Sequence, residues 1–134
     1  MEIKNSKLLY ERESYKVRGA FFNVYNSLGG GIKEEIIHRS LIRELSLLGL
    51  ASENKKHIDI NYKGKKVGVY IPDIIIEDKI IVEIKSKPFI TKEDEKQFWG
   101  YLKGSKYQLG FLVGFTLKNL VIKRLIHTEK NISA

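Results

Sequence analysis

The chain contains no cysteine, which excludes disulfide bonds and thiolate zinc sites. Its three histidines, His38, His57 and His127, stand apart, without the close spacing of metal-binding histidines. No apolar run approaches the roughly 20 residues that a membrane-spanning helix needs. The opening stretch MEIKNSKLLYERES is polar and lacks the apolar centre of a signal peptide, so a cytoplasmic location with no membrane partner is expected. Negative charge is scarce: 16 Asp and Glu stand against 24 Lys and Arg, a formal net charge of +8. Such an excess suits a polyanionic partner. A merely lysine-rich protein has the same balance, so charge alone does not decide.

What is present is enough for one core. At 134 residues, a single domain spanning 1–134 is expected, with residues 1–13 as a loose polar arm. Ser14 is placed to cap a helix over Tyr15 to Leu28, with Val17, Phe21, Val24, Tyr25 and Leu28 at helical spacing. Gly29-Gly30-Gly31 ends it. A second helix is predicted from Ile32 to about Leu48, with Ile36, Ile37, Leu41, Leu45 and Leu48 inward and Gly49 as its stop. The period then changes to two. Strands are predicted over His57 to Tyr62, Val67 to Ile76 and Ile80 to Ser86, and Pro88 breaks the pattern. Thr91 and Asp94 form a capping box for a third helix ending near Gly104. Tyr107 to Phe115 and Leu120 to Ile126 complete the order ααβββαββ, which fits an α/β fold with a mixed sheet flanked by helices.

Two acidic residues interrupt the apolar strands. Asp73 follows Ile71-Pro72, and Glu83 lies in Glu83-Ile84-Lys85. A carboxylate in a buried strand is costly unless a cation meets it. Alternation puts Asp73 on the face of Val69, Ile71 and Ile75, and Glu83 on the face of Ile81 and Lys85. If the strands pair with a three-residue turn at Glu77-Asp78-Lys79, or with a compensating bulge, both carboxylates share one face; a two-residue turn separates them. Two hard oxygen ligands suit Mg²⁺ or Mn²⁺. A lysine about 6 to 7 Å along the strand can meet a phosphate oxygen or a water. Such parts hydrolyse phosphodiesters. Glu83 and Lys85 alone also fit a cross-strand ion pair. Lysines 55, 56, 63, 65 and 66 cluster on the first hairpin, and lysines 87, 92, 96 and 103 flank the proposed site. They suit phosphate contacts that carry no base specificity.

Pro72-Asp73, nine intervening residues and Glu83-x-Lys85 resemble the signature of the PD-(D/E)XK nuclease superfamily. Gln97 and Tyr101 look like the Q-x-x-x-Y element of its RecB-like branch, on one helix face at i and i+4. Gly31-x-x-Glu34 is similar to the start of the G-x-x-E-x-x-Y motif that names one family of the superfamily. That similarity extends through Lys63 to Gly68 and Glu77-Asp78-Lys79, covering roughly residues 15 to 126. One departure is Ile37, which stands where that family has tyrosine.

The resemblance implies a restriction-endonuclease-like core and a Mg²⁺- or Mn²⁺-dependent deoxyribonuclease. Asp73, Glu83 and the Ile84 carbonyl would be metal ligands, with Glu34 holding a second ion directly or through water. Lys85 would orient water or meet transition-state charge, and Gln97 and Tyr101 would position the DNA strand. Lys65, Lys66 and Lys87 complete the expected nucleic-acid contacts. His38, one helical turn after Glu34 and on its face, is expected to be a surface residue, with a place near a substrate phosphate as the alternative. A homodimer is compatible with this size. The rival readings are a catalytically silent nucleic-acid-binding module and a regulatory interaction protein of the same fold.

Overall fold

A computed structural model describes residues 9–130. Residues 1–8 of the expected loose arm lie outside the described residues, and residues 11–13 are already helical. Helix α1 (Glu11–Leu28) starts ahead of its expected position because Tyr10 takes a left-handed φ of 50° and its carbonyl accepts the Ser14 N–H at 2.8 Å. Ser14 is therefore buried inside the helix and does not cap it. Glu11 and Glu13 in the first turn complement the helix dipole.

The three glycines end α1 as expected. Gly30 serves packing as well: a Cβ there would lie 2.0 Å from the Thr116 carbonyl oxygen. The Tyr25 hydroxyl donates to the same carbonyl at 2.7 Å. This anchors the loop and fixes where helix α2 (Glu34–Leu47) begins. Ile37 is fully buried, filling the core at the position of the departure. Ile36, expected inward, is about half exposed.

The five-stranded sheet contains β1 (Ser52–Asn54), β4 (Ile74–Ile76), β5 (Ile80–Lys85), β6 (Leu109–Phe115) and β7 (Leu120–Ile126), in the order β1-β4-β5-β6-β7. Among the described residues, only β5 and β6 pair in parallel. They are joined through helix α3 (Lys92–Gly104), as a parallel pair requires. Strands β2 (Ile58–Tyr62) and β3 (Lys65–Tyr70) form a separate antiparallel hairpin. The expected mixed sheet flanked by helices is present.

The expected strand Val67 to Ile76 is two strands in two sheets. Pro72, which has no N–H for a ladder and a fixed φ, lies at the break. Beyond it the chain enters the larger sheet, where β4 pairs with β1 on one side and β5 on the other. Strand β1 is an addition to the expected order.

The central strands are apolar on both faces. Ile74, Ile76, Ile80, Val82 and Ile84 pack toward Val17, Phe21, Ile37, Leu41 and Leu45 of α1 and α2. Ile75, Ile81 and Leu112 pack with Phe98 and Leu102 of α3 and with Ile58 and Tyr70 of the hairpin. Helix α3 carries the expected capping box: Thr91 Oγ1 accepts the Asp94 N–H at 3.0 Å, and Asp94 Oδ2 accepts the Thr91 N–H at 2.9 Å. Thr91→Ala is expected to cost about 1 kcal/mol of stability, measured by urea unfolding. An unchanged midpoint would mean that packing alone holds the helix start.

Candidate active site

Asp73 stands where the chain leaves the hairpin for the larger sheet. Strands β4 and β5 are joined by the three-residue turn Glu77-Asp78-Lys79. Glu77 and Asp78 take φ of 55° and 50°, and the Lys79 N–H donates to the Ile76 carbonyl at 2.9 Å. The register Ile76↔Ile80, Ile75↔Ile81, Ile74↔Val82 brings Asp73 and Glu83 opposite each other next. Opposed side chains share a face. This is the turn that convergence of the two carboxylates requires.

Their face is that of Ile75 and Ile81, toward α3 and the hairpin. Alternation does not continue back through Pro72. Val69 and Ile71 are 46% and 45% exposed, whereas Tyr70 is 7% exposed. Breaking the strand at Pro72 shifts the parity, so Tyr70 reaches the site in place of its neighbours.

The Tyr70 hydroxyl donates to Glu83 Oε1 at 2.5 Å, and Glu83 Oε2 lies 3.7 Å from Lys85 Nζ. Asp73 Oδ2 accepts the Ile84 N–H at 2.7 Å. Pairing of β5 with β4 stops at Val82, so this side chain takes over the ladder. A strand residue presents its N–H and C=O to the same side. The Ile84 carbonyl therefore also points to the edge occupied by Asp73. The Asp73 carbonyl accepts the Lys55 N–H at 3.1 Å, tying the site to the end of β1.

Burial pushes the Glu83 carboxyl up to about 7, opposed by the Tyr70 hydrogen bond; the charges of Asp73 and Glu34 raise it further and Lys85 lowers it. Burial also raises Asp73, against the Ile84 N–H and the charges of His38, Lys55 and Lys85. Glu34, exposed at the start of α2, is raised by partial desolvation and by Asp73, against Lys85, the Ser86 N–H and His38. The three carboxylates and Lys85 thus share one electrostatic field. Hard oxygen donors under mutual repulsion fit a small divalent cation. Among the described residues, no three His, Cys, Asp or Glu side chains are gathered closely enough to hold an ion by themselves. A metal centre here would draw on the carboxylate pair and main-chain oxygen.

Other expected residues fall differently. Tyr101 stacks on Tyr70, with ring centroids 4.0 Å apart and planes at 8°, so it supports the site from behind. Gln97 is exposed one helical turn earlier. Lys87 Nζ lies 2.5 Å from Asp94 Oδ2. Burial raises the Asp94 carboxyl, but Lys87 and Thr91 outweigh it and hold the group down to about 2. Lys65 is exposed, and Lys66 lies 3.4 Å from Asp59 Oδ1. Both sit at the far end of β3, roughly 13 to 17 Å along the strand from Tyr70, and are not brought into the site.

Tyr70 was not singled out in the sequence, and His38 was given a place near the site only as an alternative. Tyr70 touches Glu83 directly. His38, expected on the surface, is 8% exposed, with Nε2 3.3 Å from Asn54 Oδ1 of β1. Its spacing of four from Glu34 was the available signal for His38. Beside it a cavity of about 310 Å³ is lined by Glu35, His38, Arg39, Ile42, Asn54 and Lys55.

A family model for the PD-(D/E)XK nuclease superfamily matches residues 11–125. No curated protein matches the chain. The crystal structure of SSO0001 is similar at 25% identity with a TM-score of 0.49, over 72% of this chain and 50% of that one. This chain therefore spans half the length of that protein chain.

Proposed function

The chain belongs to the PD-(D/E)XK nuclease superfamily, and from that membership we propose that it is a Mg²⁺-dependent nuclease that cuts DNA. Its five-stranded mixed sheet flanked by helices is consistent with a restriction-endonuclease-like fold. The observation that carries the reading is the convergence of Asp73 and Glu83 across a three-residue turn, with Lys85 on the same face. The G-x-x-E-x-x-Y resemblance at Gly31 and Glu34 supports a role for Glu34 at the rim of the same site.

Asp73 Oδ1, Glu83 Oε2 and the Ile84 carbonyl are the oxygens that would hold Mg²⁺ or Mn²⁺. When bound, the ion supplies Lewis-acid stabilisation of phosphoryl charge. Lys85 presents an ammonium beside that charge, where it can orient a water and stabilise the transition state. Lys55, Arg39 and His38 border the groove next to Asp73 and offer cationic or hydrogen-bonding partners to a phosphate backbone. Lys65 and Lys66 on the hairpin would meet phosphates further along the strand. Gln97 extends the same surface past Tyr101.

The test is cleavage of a panel of DNA and RNA substrates with Mg²⁺ or Mn²⁺, beside Asp73→Ala. Cutting of DNA by the wild type, reduced by about a hundredfold or more in the variant, is expected. DNA binding without cutting would establish the silent module instead. Binding of neither metal nor nucleic acid would leave the charged patch as an ion-pair network.

A further inference from the structure

We propose that Tyr70 biases metal choice at this site by engaging one of the two Glu83 oxygens. The proposal rests on the reading of Asp73 and Glu83 as metal ligands. Each carboxylate already has one oxygen engaged by the chain itself. Asp73 Oδ2 takes the Ile84 N–H at 2.7 Å, and Glu83 Oε1 takes the Tyr70 hydroxyl at 2.5 Å. Asp73 Oδ1 and Glu83 Oε2 remain. An oxygen that already accepts a charge-assisted hydrogen bond keeps one lone pair and is the poorer donor to an ion, so ligation through both oxygens is disfavoured.

The size of the ion decides what this means. Mg²⁺ takes six ligands at about 2.0 to 2.1 Å, commonly one or two carboxylates with waters completing the set, whereas Ca²⁺ gathers six to eight oxygens and readily takes a carboxylate through both. A pair with one oxygen of each carboxylate already engaged therefore favours the smaller ion. The two donors are not equivalent. The Ile84 N–H belongs to β5 and is present whatever side chain stands there. Tyr70 comes from β3, in the other sheet, so this restriction is added by a side chain from outside the strands that carry the carboxylates.

Tyr70 is also held in place. The residue is 7% exposed and its ring lies parallel to that of Tyr101 at 4.0 Å, which limits the swing of the hydroxyl away from Glu83. A buried tyrosine needs an acceptor for its hydroxyl in any case. That plain packing role predicts the same loss for every ion. A role in metal choice predicts a change in the ratio between ions.

Tyr70→Phe keeps the ring and removes the donor. Calorimetric titration of the full chain with Mn²⁺, Mg²⁺ and Ca²⁺ separately, each with a matching thermal melt, gives the readout. The expected result is a gain of about tenfold in Ca²⁺ affinity relative to Mg²⁺, with Mn²⁺ following Mg²⁺. An unchanged ratio overturns the role of Tyr70 and leaves the metal site standing. Absence of any ion binding by the wild type overturns both. If Tyr70→Phe shows no cooperative melt, Tyr101→Leu decides. It keeps the hydroxyl and removes its support, and is expected to move the ratio the same way by a smaller factor. An unchanged ratio there also overturns the proposal.

Discussion

Lys85→Met is expected to cut nucleic acid on the order of a hundredfold more slowly than the wild type while still binding metal and DNA. The ammonium lies 3.7 Å from Glu83 Oε2 and is 25% exposed, so it stands beside the carboxylate pair without being enclosed by it. An ammonium has no lone pair and cannot be a ligand. Removing it leaves Asp73, Glu83 and the Ile84 carbonyl in place. Methionine keeps the length and apolar bulk of the stem. The carboxylates lose a counter-charge, but Glu83 already takes up a proton near neutral pH, so the fold has a way to relieve the repulsion. Single-turnover cleavage at saturating substrate, with calorimetry for the metal, separates the steps. A variant that binds DNA poorly yet cuts at the wild-type rate when saturated would make Lys85 an anchor for substrate. A variant that fails to fold would make it a structural counter-ion.

The parts of this architecture that were legible in the sequence are those set by local chemistry. The capping box of α3 is a contact between Thr91 and Asp94, three residues apart, and needs nothing else. Strands β5, β6 and β7 are apolar runs whose composition fits a strand in any setting. The three-residue turn followed from requiring Asp73 and Glu83 to share a face, and the register agrees.

What was illegible depends on distant pairing. Strand β1 is Ser52-Glu53-Asn54, polar and too short to show a period; it exists because Ile74 to Ile76 offer an open edge. Without β1, nothing suggested that Asn54 would cover His38. The same kind of error hid Tyr70. Reading Val67 to Ile76 as one strand carried the parity of Val69 and Ile71 through to Asp73. The break at Pro72 lets the hairpin turn its other face inward, bringing Tyr70 to Glu83. The unread contacts of His38 and Tyr70 thus trace to two features of chain path, one unseen strand and one unseen break.

Glu83→Gln is expected to stabilise the metal-free protein above neutral pH and to remove most of its response to metal. Burial, together with the charges of Asp73 and Glu34, pushes the Glu83 carboxyl from an ordinary 4.5 up to about 7, despite Tyr70 and Lys85. The folded state therefore holds this proton more tightly than the unfolded chain does. Stability from this group is fully present below about pH 4.5 and is lost as pH rises through about 7. The size of the loss follows from the shift and is on the order of 3 kcal/mol, since each unit is worth about 1.4 kcal/mol. Asp73 is shifted in the same direction and adds to the slope. Glutamine does not ionise, still offers Oε1 to the Tyr70 hydroxyl, and so should flatten most of this decline. At pH 8 the variant should unfold at higher denaturant than the metal-free wild type; near pH 4.5 the two should agree. Metal is expected to close most of that gap. Binding to the ionised carboxylate would stabilise the wild type by about 2.7 kcal/mol at a hundred times the dissociation constant, and the variant should gain little. Urea melts from pH 4.5 to 8, with and without Mn²⁺, read both effects. A wild type whose stability is flat over that range and indifferent to Mn²⁺ would show that Glu83 is neither a strained carboxylate nor a metal ligand.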